Sequence, residues 1–423
     1  MRSLKTIAVF VVAVLVVAII AVAGYFAWSK REGDERQQAL QSFYQTPSPL
    51  PAGKPGDVLR SEPITSGFTL PPGTQAQRIL YLTQGPSGEP RVSSGMVFIP
   101  AGAAPEGGRK VVSWAHPTVG MGDACAPSRT DSHNLMSWLP GMLNLGWVVT
   151  ATDYAGLGTD GTELYLVGKS EAYDVINAVR AAQRLPGTGA GSDYAVFGHS
   201  QGGHAAMWTG ALAPQYAPEL KLVGVVGAAP AAALSDLVDE LWNTNTAWVI
   251  GAEVFVSFPA VYPNLSDSAV GTPAAVKGYQ ALAEKCLING ILEGEVRGFF
   301  DEKFFSQNPN DDPSWRSAIA DQTAPPLPAS MPALVTESVN DGVVLPQSIV
   351  AMQQQWCSAG SNLAVQWLGP LRGTPETPNL ETHMYEGSVG GALATDWIGD
   401  RFAGRPAVPS CDQPAPLALT SSS

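Results

Sequence analysis

Apolar residues along this chain recur with period two, with helical spacing, and in one unbroken run. The run is residues 7–28, 22 positions without a charge. A helix of that length, at about 1.5 Å per residue, crosses a hydrocarbon core of roughly 30 Å. Arg2 and Lys5 precede it, and Tyr25, Phe26 and Trp28 extend it past the small triplet Ala21-Val22-Ala23. The segment therefore predicts export, as an uncleaved signal anchor or as a signal peptide cut near Ala23. A charged, Gln-rich stalk and a Pro-rich lead-in fill residues 29–57. Beyond them, 77–84 and 92–99 alternate apolar and polar positions around a Gly/Pro turn, which predicts an antiparallel strand pair. The short apolar runs 111–115, 147–152, 194–197, 222–228, 333–339 and 363–368 read as strands, the first two as buried on both faces.

Between these runs the spacing turns helical. Ala172, Val175, Ile176 and Val179 mark a helix over 169–185 that stops before Pro186-Gly187. Residues 203–213 predict a second, ended by Pro214, and 347–356 a third. Strands alternating with helices imply a mostly parallel central sheet with helices on both faces, an α/β fold. Residues 231–328 break the rhythm with apolar helical segments and the aromatics Phe255, Phe258, Phe299 and Phe300, and are expected to form a helical cap inserted into a domain spanning 58–411. Residues 412–423 read as a flexible tail.

Composition narrows the partners. Only 14% of the 423 residues are charged and the net charge is −13. No Lys/Arg-rich run occurs, which excludes the basic surface that nucleic-acid binding requires. The four cysteines, Cys125, Cys286, Cys357 and Cys411, allow three disulfide pairings, and no C-x-x-C is present to mark a zinc or redox site.

The chemistry centres on Gly198-His199-Ser200-Gln201-Gly202. A short apolar strand enters this G-x-S-x-G and a helix leaves it, the context in which a strained turn lifts a serine hydroxyl above a sheet. A serine is a weak nucleophile without a neighbouring base, normally histidine. On folds with such an elbow the chain order is serine, acid, histidine. Of the five histidines, His116 and His133 precede the serine, His199 stands beside it, and His204 lies on the exit helix facing away. His383 remains as the base, expected in a late loop above the strand ends. The acid should leave the strand at 333–339, where Asn340-Asp341-Gly342 forms a turn, so Asp341 is selected over Asp153, Asp311, Asp312 and Asp321. The oxyanion donors are expected to be the N–H of Gln201 and an N–H of the loop His116-Pro117-Thr118-Val119-Gly120. Pro117 has no N–H, which favours Thr118, with Val119 as the alternative.

Four stretches of this sequence resemble the secretory lipases of the α/β-hydrolase superfamily, the group that includes the yeast lipase A enzyme. They are the H-P-T-V-G loop leading into Cys125-Ala126-Pro127-Ser128; Thr152-Asp153-Tyr154-Ala155-Gly156-Leu157-Gly158 with Tyr165-Leu166-Val167-Gly168; the serine elbow; and Asn340-Asp341 with the distant His383. The resemblance covers most of residues 43–411. It implies an α/β-hydrolase fold with a helical cap between two late strands. It also implies the pairings Cys125–Cys286 and Cys357–Cys411. Pro117 and the apolar segment depart from the family pattern.

The expected function is an exported serine ester hydrolase acting on lipid or other acyl esters through an acyl-enzyme, with no metal or organic cofactor. It would sit at the cell surface, held to the membrane by 7–28, or be secreted. A short-chain carboxylesterase or acyltransferase would use the same triad. A surface-tethered binding protein on an inactive scaffold is the alternative of another class.

Overall fold

A computed structural model of the chain describes residues 31, 33–130, 132–413 and 416. The apolar run 7–28 and most of the expected tail lie outside the described residues. Among the described residues no helix is long and apolar enough to cross a membrane. The described residues up to Gln45 form a unit of their own, in which 33–44 are helical.

The second unit, from Thr46, is built on a nine-stranded sheet. Its strands are β1 (Val58–Pro63), β2 (Gln75–Gln84), β3 (Pro90–Ile99), β4 (Arg109–Ala115), β5 (Val148–Thr152), β6 (Ala190–His199), β7 (Lys221–Ala228), β8 (Ala333–Ser338) and β9 (Leu363–Leu368). They run in the order β1-β2-β3-β5-β4-β6-β7-β8-β9. The first three pair antiparallel and β3 meets β5 antiparallel; from β5 to β9 all neighbours are parallel. The alternating sequences thus form the antiparallel edge, and the continuous apolar runs form the parallel part, which ends at β9.

Period two sorts the side chains between two cores. Val111, Val148, Val196 and Val225 face one core, and their successors Val112, Val149, Phe197 and Val226 face the other. Helix α1 (Leu139–Asn144) lies in the second core, helix α2 (Gly168–Arg184) in the first. Val175, Ile176 and Val179 of α2 are fully buried, and Arg184 closes its last turn, where a cation suits the helix dipole. Helix α3 (Gln201–Tyr216) also covers the first face. It runs past Pro214, against expectation: the proline forfeits only its own N–H bond, and the final turn closes through the Ala217 N–H to the Ala213 carbonyl at 2.9 Å.

Between β7 and β8 the chain forms six helices: α4 (Leu234–Leu241), α5 (Ala247–Val261), α6 (Asp267–Val270), α7 (Pro273–Ala283), α8 (Leu287–Phe299) and α9 (Pro313–Gln322). Trp248, Phe255, Phe258 and Trp315 are buried within this insertion. Phe299 and Phe300 are not: they are 84% and 70% exposed, so two of the four phenylalanines of the insertion named from the sequence lie on its surface. Helix α10 (Pro346–Ser358) joins β8 to β9, and the long α11 (Leu380–Phe402) crosses the second face.

Two disulfides join Cys125 to Cys286 and Cys357 to Cys411. The first ties the loop after β4 to the start of α8, and two backbone bonds flank it: Leu287 N–H to Val119 O and Met121 N–H to Ala283 O, both 2.8 Å. The second holds the C-terminal segment along β9, where the Ser410 N–H donates to Leu363 O at 3.0 Å and Ser410 Oγ accepts from Val365 N–H at 2.7 Å.

Candidate active site

Strand β6 ends at His199 and α3 begins at Gln201, leaving Ser200 alone in the turn with φ +56° and ψ −119°. That backbone is costly for a residue with a Cβ. It is held by the Ser200 N–H on Ala228 O (2.9 Å), and by the Ser200 carbonyl, which accepts from His204 and Ala231 N–H groups (each 3.1 Å). The turn is so tight that a Cβ on Gly198 would lie 1.9 Å from the Gly202 carbonyl oxygen, which explains glycine there.

Ser200 Oγ lies 2.9 Å from His383 Nε2, and His383 Nδ1 lies 2.7 Å from Asp341 Oδ2. The carboxylate on one side assigns the proton to Nδ1 and leaves Nε2 to accept from the serine. Asp341 Oδ1 accepts from the N–H groups of Val343 (2.7 Å) and Val344 (3.0 Å), which lock the turn after β8. All three side chains are buried. His383 stands in the first turn of α11, not in the expected loop. The helix begins there because Asn379 caps it, its side chain accepting from the Thr382 N–H at 2.8 Å.

The remaining residues named above have other surroundings. His199 is buried against His383, ring centroids 4.7 Å apart; burial, and then the neighbouring His383, push its pKa well down. It therefore adds no charge beside the base. His116 is likewise lowered by burial. His204 is enclosed between Glu171 and the Gln322 carbonyl, each at 2.8 Å. Asp153 fastens two of the four characteristic stretches together: it accepts from Ser128 N–H (2.9 Å), Ser94 Oγ (2.6 Å) and Ser128 Oγ. Gln201 opens α3, where the first N–H groups have no partner within the helix. The Thr118 hydroxyl meets Tyr165 Oη at 2.7 Å.

Two hollows meet at Ser200. One, of about 850 Å³ counting its open mouth, is almost wholly apolar and passes under the insertion between Leu237, Val238, Val254, Phe258 and Trp315. The other, of about 720 Å³, is lined by Thr118, Asn245, Glu295 and Met384 together with Ser200 and His383.

The buried carboxyls around the site escaped the sequence reading. Glu337 and Glu386 cluster with Asp341, and neither Glu337 oxygen has a hydrogen-bond partner. Desolvation, then the neighbouring acids, raises both groups well above the carboxylate range. Glu337 stands between the polar Thr336 and Ser338, so nothing local in the run 333–339 marks its burial. Desolvation also raises Glu253 well up, Glu163 to about 8, Glu240 to about 7 and Asp174 to about 6. The unfolded chain ionises these groups near 4. Their stabilisation is therefore complete below that pH and is lost as pH rises through the folded values, because the folded state holds the extra protons. His116 and His199, lowered, act oppositely below about 6.5. The melting temperature should therefore fall from pH 6.5 to pH 8.5, each retained proton contributing about 1.4 kcal/mol per pH unit. Calorimetry across that range checks it, and Glu163→Gln should flatten the slope; a rising melting temperature would refute it.

Comparison with known proteins follows the same lines. A family model described as secretory lipase matches residues 130–410. A Mycobacterium tuberculosis protein described as a probable inactive lipase is 25% identical, over 86% of this chain and 82% of its own. A secreted triacylglycerol lipase of Malassezia globosa is 26% identical, over 94% of this chain and 85% of its own. Among solved structures, a rice cell wall degrading esterase from Xanthomonas oryzae superposes with a TM-score of 0.72 at 22% identity, covering 82% of this chain and all of that one. Candida antarctica lipase A gives 0.66 at 18% identity, covering 90% of each. The fold is that of the α/β-hydrolases.

Proposed function

We propose that this chain, which belongs to the secretory lipase family, is an exported serine hydrolase that cleaves acyl esters of lipids by way of an acyl-enzyme. The observation that carries the reading is the linked pair of contacts, serine to imidazole at 2.9 Å and imidazole to carboxylate at 2.7 Å, at the mouth of an apolar cavity. Ser200 Oγ attacks the ester carbonyl carbon while His383 Nε2 takes its proton. Asp341 holds the tautomer and stabilises the imidazolium. The carbonyl oxygen, now an anion, is met by the N–H groups of Gln201 and Thr118. Collapse of the tetrahedral intermediate breaks the C–O bond, and His383 returns the proton to the leaving alcohol. Water repeats the sequence on the acyl-enzyme and releases the acid.

The apolar hollow suits the acyl chain and the more polar one the alcohol. Export is supported by the two disulfides, which persist in oxidising compartments. Residues 7–28 are its proposed route, as a cell-surface anchor or as a leader cut near Ala23. A relative described as a probable inactive lipase gives a second reading, a binding protein on the same scaffold. A fluorophosphonate probe separates the two: one label, lost in Ser200→Ala, is expected of the hydrolase, and an unlabelled intact protein would leave the binding protein.

Chain length refines the substrate. With p-nitrophenyl esters, kcat/KM should rise from two-carbon to longer acyl chains. Val254→Trp, which fills the apolar hollow, should cut the long-chain value by ~10–100-fold and spare the short-chain value. Equal effects on both would show that the acyl chain lies elsewhere, and a preference for two to four carbons with no attack on emulsified triglyceride would favour the short-chain esterase.

A further inference from the structure

Both expected oxyanion donors are tethered, through their side chains or neighbours, to one buried carboxylate. The Gln201 side-chain amide donates both its hydrogens to carboxyl oxygens, at 3.0 Å to Glu171 and 3.1 Å to Glu163. The same Glu171 oxygen accepts the N–H of Leu166 at 3.0 Å, and its other oxygen meets His204 in the first turn of α3 at 2.8 Å. Leu166 has φ +53°, a conformation a branched residue adopts only when something holds it. That turn presents Tyr165, whose hydroxyl meets the Thr118 hydroxyl at 2.7 Å and whose carbonyl accepts from Ser257 Oγ at 2.8 Å. Glu171, Gln201, Tyr165 and Leu166 are each no more than 3% exposed, so water does not substitute for these bonds.

We propose that Glu171, with Glu163 on the far side of the Gln201 amide, is a positioning residue for the oxyanion hole: it sets Gln201 directly and Thr118 through the Leu166–Tyr165 turn. The two halves come from loops far apart in sequence, after β4 and after β6, and Glu171 is where their supports converge. An oxyanion donor works only when held where the anion will form, not where the ground-state carbonyl lies. Loosening the support should therefore act on the chemical step more than on binding.

The inference rests on the hydrolase reading, and a fluorophosphonate label on Ser200 of the wild type tests that reading by itself. The comparison is made per labelled site, so misfolded protein does not count. Glu171→Leu should lower kcat by ~10²-fold, the scale of losing one donor, with KM changed less than about threefold. Affinity for a boronic acid that forms a tetrahedral adduct on Ser200 should weaken by the same factor as kcat. Glu171→Gln should restore activity to within about fivefold of wild type. Its Oε1 still accepts from Gln201 and Leu166, and its amide can donate to the other tautomer of His204. Tyr165→Phe, which frees the Thr118 hydroxyl, should cost ~10-fold in kcat. If Glu171→Leu does not fold, Gln201→Met removes the amide and carries the same expectation. Wild-type kcat per site in the variant, or loss of boronate affinity no greater than the change in KM, would overturn the proposal and leave the hydrolase reading standing.

Discussion

Ser200→Ala should lower kcat by about 10⁶, the full effect of losing a triad nucleophile, while KM and melting temperature stay near wild type. The hydroxyl bonds only into the site, to His383 Nε2, and the strained backbone beneath it is held by main-chain bonds to Ala228, His204 and Ala231 that an alanine preserves. Asp341→Asn should cost about 10⁴, because an amide nitrogen facing Nδ1 favours the tautomer that cannot accept the serine proton. The fold should tolerate it if the remaining oxygen keeps the Val343 and Val344 N–H bonds. Activity on p-nitrophenyl esters, normalised to correctly folded protein by circular dichroism, measures both. Ser200→Ala with more than a few per cent of wild-type turnover would remove the acyl-enzyme from the mechanism.

The second large effect concerns stability. Replacing Cys125 and Cys286 together by serine should lower the unfolding free energy by about 5 kcal/mol. The link joins residues 161 apart, and closing so long a loop removes much of the unfolded chain's freedom. Equilibrium denaturation in guanidinium, with the wild type under reducing and non-reducing conditions as control, measures it. Activity should fall before global unfolding, since the same link and the Leu287–Val119 and Met121–Ala283 bonds hold the loop that carries Thr118. A variant with unchanged midpoint and unchanged activity would mean that the backbone bonds alone hold the loop.

Elements with a clean period were legible in the sequence. The alternating pair became β2 and β3, the continuous runs became the parallel strands with 363–368 at their edge, and the break in rhythm after β7 became the helical insertion. In each case the pattern reports which faces are buried, and that is what the fold uses. The start of α11 was not legible, because its first turn follows a Pro- and Thr-rich stretch and its middle holds Gly387, Gly390 and Gly391, poor helix formers. Tertiary packing overrides that propensity: a Cβ on Gly390 would sit 2.4 Å from the Ala228 Cβ, so glycine lets the helix lie directly on the sheet. Ser200, Asp341 and His383 could be named because their chain order and local turns are constrained by chemistry. Glu163, Glu171, Glu337 and Glu386 could not, since a single carboxyl carries no pattern and its burial depends on what folds over it. Phe299 and Phe300 show the reverse error, aromatic side chains that composition assigns to an interior and the fold leaves outside.

The C-terminal segment laid along β9 has a consequence for the molecule's behaviour in company. β9 ends the sheet, and a bare terminal strand offers its free amides and carbonyls as a template on which another copy can add. Ser410 already takes up the Leu363 carbonyl and the Val365 amide, and Cys411 keeps it from peeling away. Cleavage before Ser410 combined with reduction of the Cys357–Cys411 bond would uncover that template, so the form so clipped, though its triad is intact, should be the one that self-associates.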